Sequence, residues 1–316
     1  MLFGKRRAYQ RKVAVAEFDA VVSGDIYVFA PRDDRLLPEL LPFIFLSERY
    51  FQYAVETSAG SLSPRTRWKH LAKFEFDLPP LDQQRCIAEV LWAVDEAYCE
   101  AADMTEKSAM FRRSYLHSVF ANPNGNDCLP IRGTGFVQLG RQRSPKHQTG
   151  IMAKPYLRVA NVFDAYFDYN DVLKMDFDKR DFETYCLQKG DILLNEGQSR
   201  ELVGRCAIFD GAIEDCCFQN TLIRYRAGGK VLTEYAYAYF QYCFNFGVFA
   251  AVASQTTSVA HLGADRFGAL LMPVPPKEER GKIAHEYRRL CQTEFCLIRH
   301  LKKIQDFQKN IIESLM

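Results

Sequence analysis

The chain contains one block of sequence twice. Pro79-Pro80-Leu81-Asp82-Gln83-Gln84-Arg85-Cys86-Ile87-Ala88 returns 196 residues later as Pro275-Pro276-Lys277-Glu278-Glu279-Arg280-Gly281-Lys282-Ile283-Ala284. Ser118-Val119-Phe120 returns at the same offset as Ser314-Leu315-Met316, and Gly24-Asp25-Ile26-Tyr27-Val28 as Asn220-Thr221-Leu222-Ile223-Arg224. A long offset held over three blocks predicts two copies of one structural unit. Residues 1–120 then match 197–316, and nothing precedes the first copy to match 121–196, so the chain reads as one and a half units.

Each Pro-Pro opens a long proline-free helical pattern. In the second copy Ile283, Tyr287, Leu290, Glu294, Leu297, Leu301, Ile304, Gln308, Ile311 and Leu315 step by four and three. This is a heptad seam, which calls for coiled-coil packing. The first copy steps in phase through Ile87, Leu91, Val94, Tyr98, Ala101, Thr105, Ser108, Arg112, Tyr115 and Val119, with a more polar middle. Helices this long need a partner for their narrow apolar stripe, and each copy supplies one to the other. Prolines suit the helix entry, and Asp82, Glu278 and Glu279 suit the positive end of the dipole. Glu294 and Gln308 are polar seam residues that can fix register.

Between the helices the texture changes. Ala121-Asn122-Pro123-Asn124-Gly125-Asn126-Asp127 is a run of breakers that marks a linker. Tyr156–Val159, Asp191–Leu194, Cys206–Phe209 and Thr221–Tyr225 read as strands, and Leu232–Ala251 as a buried helix. The front copy repeats this order, with strands near Lys12–Ala16 and Asp25–Phe29 and an apolar helix from about Pro38 to Val55. The expected class is α+β. The expected domains are 1–77 (a partial unit), 78–121 (first long helix), 128–274 (a complete unit) and 275–316 (second long helix).

Composition narrows the function. A net charge of +2 is too small to be diagnostic, so nucleic-acid binding has to come from local patches. No apolar run reaches the ~20 residues that span a bilayer. Met1–Arg7 has no signal-peptide layout, which leads to the expectation of a cytoplasmic protein. Ten cysteines without a Cys-x-x-Cys pair read as reduced thiols, with no metal site expected. No phosphate-binding glycine loop, serine elbow or nuclease carboxylate pair is present, and no catalytic residue is assigned. Asp25 and Asp191 each follow a glycine, which is turn chemistry.

The doubled Pro-Pro, polar stretch and Ile-Ala, together with Lys189-Gly190-Asp191-Ile192-Leu193-Leu194, Phe218-Gln219-Asn220 and Ser58-Ala59-Gly60-Ser61-Leu62-Ser63-Pro64-Arg65, resemble the DNA-specificity subunits of type I restriction-modification systems. The resemblance implies target-recognition domains each followed by a long helix, the two helices packed antiparallel. It implies a non-catalytic subunit that binds double-stranded DNA. Its partners would be methyltransferase subunits and a motor-nuclease subunit, and these would bind S-adenosylmethionine and ATP with Mg. The departure is at the front, where Met1-Leu2-Phe3-Gly4 looks like the tail of a Gly-Asp-Ile-Leu-Leu strand entered after its Gly-Asp. A separate chain completing the first recognition domain is therefore an open expectation. So are a remnant that directs nothing and a coiled-coil scaffold without DNA binding.

DNA-facing candidates need cations and hydroxyls for phosphates, and amides and arginines for base edges. In the second copy these are Gln198, Ser199 and Arg200, with Arg205 closing the loop, then Gln219, Asn220, Thr256, Thr257, Arg158 and Asn161. Gln219-Asn220 reads equally as a turn closed by its amides, and Ser254–Ser258 as a helix cap. Arg141, Arg143, Lys146 and His147 read as a phosphate-binding loop or a solvated one. In the first copy Lys5, Arg6, Arg7, Arg11 and Lys12 form the densest positive cluster, followed by Arg65, Arg67 and Lys69. Residues 81–120 hold seven acidic against four Lys plus Arg, a surface suited to protein contact. Phe111, Tyr115 and Phe120 serve either docking or the core.

Overall fold

The computed structural model describes residues 1–122, 127–143, 149–255 and 258–315. It contains two compact units: residues 1–107 with 295–316, and residues 108–294. The boundaries fall inside the two long helices, α4 (Leu81–Phe120) and α9 (Lys277–Ser314), instead of at the helix ends where the sequence placed them. The cause is packing: each half-helix is buried by the unit beside it.

In the first unit β1 (Leu2–Gly4) lies between β2 (Val13–Ala14) and β3 (Ile26–Val28), all antiparallel. Helices α1 (Leu41–Leu46) and α2 (Glu48–Glu56) cover one face, and α3 (Trp68–Leu71) follows. Phe3, Phe45, Tyr50 and Phe51 form the centre of this core, which takes in Ala88 and Leu91 from α4 and Ile312 from α9. The one apolar helix expected from Pro38 to Val55 is two. Ser47 is extended and its side chain accepts from the Tyr50 amide, so it starts a new helix where the sequence pattern showed no break.

The second unit has the same plan with more layers. A 3-10 turn at Ile131–Gly133 separates β4 (Cys128–Pro130) from β5 (Gly135–Leu139). Then come β6 (Ala153–Leu157), β7 (Leu173–Asp176), α5 (Lys179–Tyr185), β8 (Ile192–Asn195), β9 (Gly197–Gln198), β10 (Cys206–Ile208), β11 (Cys217–Phe218) and β12 (Leu222–Ala227). Helices α6 (Thr233–Asn245) and α7 (Val248–Val252), strands β13 (Ser254–Gln255) and β14 (Ala260–His261), α8 (Ala264–Ala269) and β15 (Leu271–Pro273) complete it. The main sheet runs β10-β8-β12-β5, and a second sheet runs β11-β6-β7. β8 reads Ile-Leu-Leu-Asn because both its faces are buried. Ile192 and Leu194 join the aromatic core under α6, while Leu193 joins Leu157, Phe209 and Phe218 on the other side. The buried helix expected over Leu232–Ala251 is also interrupted, at Gly247 with φ 73°. Asp191 is buried and accepts from Arg226 Nε at 2.6 Å and Nη2 at 2.7 Å.

The equivalence of the units can be read from strand register. Gly4 pairs with Ile26 as Asn195 pairs with Leu222, and Phe3 with Val13 as Leu194 with Cys206. β1 is thus the counterpart of β8, as its likeness to Gly-Asp-Ile-Leu-Leu implied. The gapless match of residues 1–120 to 197–316 does not hold at its start, because the loops between these strands are shorter in the first unit. Surface loops absorb such length changes at little cost.

The helix seam is as the heptads foretold. Within the first unit, Leu91, Val94, Tyr98, Leu297, Leu301, Ile304, Ile311 and Leu315 are all shielded, as is Ile87. Gln308 donates to Asp95 at 3.1 Å, and Ile311 and Ile312 meet Ile87, Ala88 and Leu91, so the segments run antiparallel. Within the second unit Leu116 and Phe120 enter a core with Ile283, Ala284 and Tyr287, and Leu290 is half-buried. The polar seam residues answer each other: Arg112 donates to Glu294 at 2.6 Å and to the Tyr287 hydroxyl at 3.1 Å. Of the three aromatics with two readings, Tyr115 and Phe120 pack in the core and Phe111 stays exposed.

Candidate nucleic-acid interface

In the second unit the loop from β8 to β10 projects beyond the main sheet. β9 within it pairs with β14, which pairs with β13, so three short strands form a ribbon. The Arg266 guanidinium holds the ribbon, donating to Leu262 O at 3.0 Å, His261 O at 2.7 Å and Ser254 Oγ at 2.9 Å. His261 Nδ1 lies 3.0 Å from Glu196 Oε2. The Ser254–Ser258 run therefore begins as a strand, not a helix cap. Thr256, Thr257, Lys146 and His147 lie outside the described residues.

The ribbon leaves a polar tip. Leu202 and Val203 amides both donate to Ser199 O at 3.0 Å, and the Gln198 carbonyl oxygen of the side chain accepts from the Ser199 amide at 3.3 Å. Glu201 is held below the usual carboxylate range by its own backbone amide and by Ser199. Arg200 is exposed, and its charge contributes to holding Glu201 low. Gly204 closes the loop at φ 80°, and a Cβ there would stand 2.3 Å from the Phe249 ring. Gly204→Ala is expected to destabilise this unit by about 2 kcal/mol, from a left-handed backbone and the lost fit; a chemical-denaturation midpoint checks it.

The remaining candidates separate by what already holds them. Asn161 is only 2% exposed; its amide nitrogen donates to Asp168 O and Asp171 O at 3.0 Å, and its oxygen accepts from the Arg158 amide at 3.0 Å. It builds a turn and does not face a duplex. Arg158 is paired with Asp171. Arg141 is bound to Asp176 O at 2.7 Å and Asp181 at 2.5 Å, so it pins its segment, while Arg143 is exposed. Arg205 lies 4.6 Å over the Phe163 ring, which stacks on Tyr166 at 5.0 Å; burial lowers its pKa against the opposing pull of Asp164. Gln219 and Asn220 lie in a turn closed by the Leu222 amide donating to Gln219 O at 2.9 Å, and their own backbone amides donate to Leu157 O at 2.9 Å and Arg141 O at 3.1 Å. Their side-chain amides have no partner among the described residues, so the turn does not consume them.

In the first unit the equivalent loop is compact and basic. A 3-10 turn at Ala8–Gln10 is flanked by Arg7 and Arg11, both left-handed. Lys5 donates to Gly24 O at 2.7 Å and sits 4.2 Å over Tyr27. A bridge between Arg6 and Arg65 joins this loop to the later cluster, and Arg7 N donates to Pro64 O at 2.8 Å. The bridge corresponds to the β9–β14 pairing of the second unit. Asp25 takes Arg6 at 2.8 Å and Arg65 at 3.3 Å, and Glu48 takes Arg11. Arg7, Lys12, Arg67 and Lys69 are exposed and unpaired among the described residues. Asp25 was read from sequence only as turn chemistry, and Glu196, His261, Arg266 and the Phe163–Tyr166 stack were not singled out. Asp25, Glu196 and His261 act through partners far along the chain, so no local signal marks them.

Residues 2–101 match the family described as the type I restriction modification DNA specificity domain. Over that span the chain is similar to that family. A Methanocaldococcus jannaschii protein carrying the name type I restriction enzyme MjaX specificity subunit is 26% identical over 132 residues. That match takes in 41% of this chain and only 31% of the relative. Among solved structures, one titled for complex assembly and conformational transition of the type I R-M system aligns over 99% of this chain and 80% of its own, at TM-score 0.60 and 16% identity. The type I restriction-modification system S subunit from M. genitalium aligns over 89% of this chain and 73% of its own, at TM-score 0.57 and 14% identity. At these identities the structures establish the specificity-subunit fold, in which the expected α+β units and antiparallel helices find their place.

Proposed function

We propose that this chain binds double-stranded DNA by sequence and directs a type I methyltransferase and restriction complex to its site, without chemistry of its own. The observation carrying the proposal is that both units present a polar loop at the same place, between the first two strands of the shared sheet. One loop holds Gln198, Ser199 and Arg200; the other holds Lys5 to Lys12. The side-chain amides of Gln219 and Asn220, without a partner among the described residues, and the exposed Arg200 have the forks that fit adenine and guanine edges. Methyltransferase subunits would bring S-adenosylmethionine, and a motor-nuclease subunit ATP with Mg. Outward apolar residues on the acidic α4, among them Val90 and Met104 in the first unit and Phe111 in the second, suit protein partners.

The test is methylome sequencing of the host with and without the gene. The reading expects a modified motif that vanishes on deletion; an unchanged methylome refutes it. At residue level, Arg200→Ala with Gln219→Ala and Asn220→Ala is expected to abolish site selection while the unfolding midpoint stays at the parent value. Selection that survives this triple change would remove these residues from base reading. A scaffold without a DNA role predicts no salt-dependent duplex binding at all.

A further inference from the structure

One turn of the second unit holds a stack of two aromatic rings at its surface. An isolated bridge pairs Val162 with Phe167 across the turn, and the Phe163 amide donates to Tyr166 O at 2.9 Å. The Phe163 and Tyr166 rings lie nearly parallel, 10° apart, with centroids at 5.0 Å. Tyr166 is 57% exposed although one face of its ring rests on Phe163, so the other face is open to solvent. Between the two, Ala165 holds φ 67°, a left-handed backbone that a residue with a Cβ adopts at a cost.

The turn is held from beneath and stands beside the candidate readers. The side-chain amide of Gln241, which is fully buried, donates to Asp164 Oδ1 at 2.9 Å and to the Tyr237 hydroxyl at 3.1 Å. The Ala165 amide donates to Cys206 O at 3.2 Å, and the Asn195 side chain to Val162 O at 3.3 Å. Asn195 ends β8 and Cys206 begins β10, so the turn sits at the end of the main sheet from which the Gln198–Arg205 loop projects. On its other flank the Val159 amide donates to Thr221 Oγ1 at 3.2 Å, adjoining the Gln219-Asn220 turn. Arg205 lies over Phe163 and places a cation beside the rings, with Asp164 answering part of its charge.

A tyrosine that served only to cover Phe163 would not need a strained residue and a buried amide to fix its turn. Fixing a flat ring in advance matters when it must meet another flat group, because the ordering entropy is then lost before binding and not during it. Among the groups that the neighbouring amides and arginines suit, the flat one is a nucleic-acid base. We propose that Tyr166 is a stacking platform whose open face lies against a base at one step of the DNA site and partly unstacks that step. The inference rests on the DNA reading above and adds a contact that selects by deformability. Pyrimidine–purine steps unstack most easily, so the step under Tyr166 is expected to be TA, CA or TG. Stacking accepts the face of any base, so the preference is for a step and not for one base edge.

The probe is a set of duplexes carrying the motif found by the methylome comparison, with each base step changed in turn, bound to the full chain. Tyr166→Ala is expected to weaken binding of the motif about tenfold, the order of one base–aromatic stack, and to flatten the preference at one step only. Tyr166→Phe keeps the ring and should retain the parent's values. 2-Aminopurine placed at that step should brighten on binding of the parent and of Tyr166→Phe, and not of Tyr166→Ala. The thermal midpoint of Tyr166→Ala should equal the parent's; if it falls, Tyr166→Leu, which keeps apolar cover on Phe163, takes its place and should lose the step preference equally. A parent that binds no duplex removes the DNA reading and this inference with it. A parent that selects its motif, with Tyr166→Ala matching it in affinity and step preference, overturns the stacking platform alone. Loss in Tyr166→Phe as well would make the hydroxyl the contact and overturn it. So would intact DNA binding by a Tyr166→Ala chain that no longer co-purifies with its methyltransferase subunit, since the ring would then be a protein contact.

Discussion

Arg112→Ala is expected to cost the unit of residues 108–294 about 3 kcal/mol, the low end of what removing one partner of a buried ion pair costs. The Arg112 and Glu294 side chains are only 13% and 17% exposed, so the Glu294 carboxylate left behind has little access to water. The residual exposure is why the low end applies. Arg112 also serves Tyr287, whose phenol burial pushes well above its usual range; the hydroxyl would lose its donor as well. Urea unfolding measures the loss. The double change Arg112→Met with Glu294→Leu should recover most of it, since apolar residues of similar volume replace buried ion pairs at little cost. If the single change alone lies within about 0.5 kcal/mol of the parent, as ordinary surface changes do, the pair does not hold the seam. If the double change is stable but the helices shift register, the pair specifies alignment, the role polar seam residues have in coiled coils.

That pair also shows what the sequence could and could not reveal. The heptad positions were legible because a helix seam is written at spacings of three and four, and all of them are shielded in the structure. That Arg112 would face Glu294 was not legible, because the antiparallel register is set by residues 182 apart. The strand read at Tyr156–Val159 starts three residues earlier, at Ala153, and β4, β5, β7 and β11 were not read as strands. Those read at Asp191–Leu194, Cys206–Phe209 and Thr221–Tyr225 were placed within a residue or two, since each short apolar stretch is bounded by turn residues. Their pairing was not, and so the shorter loops of the first unit escaped notice. The two helix breaks had local signals. Gly247 is a glycine needing positive φ, and Ser47-Glu48 is a helix start inside an apolar run.

The candidate interface divides in the same way. Residue type was readable: arginines, amides and hydroxyls in loops. Availability was not. Asn161 and Arg141 have the right chemistry, yet Asp168, Asp171, Asp176 and Asp181 already engage them or their turns. Gln219 and Asn220 went the other way. Their turn is closed by a backbone bond, and both side-chain amides have no partner among the described residues.

Availability sets the last expectation, the largest in DNA affinity. Replacing Arg7, Lys12, Arg67 and Lys69 together with alanine should flatten the salt dependence of duplex binding. Each phosphate contact contributes about 0.9 to the slope of log affinity against log salt, so four contacts contribute about 3.6. Between 50 and 200 mM salt the parent should therefore lose about 100-fold more affinity than the variant. These four are the informative choice because their side chains are exposed and unpaired among the described residues. Arg6 and Arg65 share Asp25, and Arg11 pairs with Glu48, so part of their charge is already answered. Asp25→Asn should accordingly act in the opposite direction, releasing two arginines and steepening the slope. The loss in the quadruple variant should be uniform across DNA sequences, because phosphates carry no base identity. Fluorescence anisotropy on specific and random duplexes at several salt concentrations reads all three outcomes. A variant whose slope equals the parent's would take the first unit's basic loop out of the interface. A variant that loses only its preferred sequence would make that loop a reader of bases.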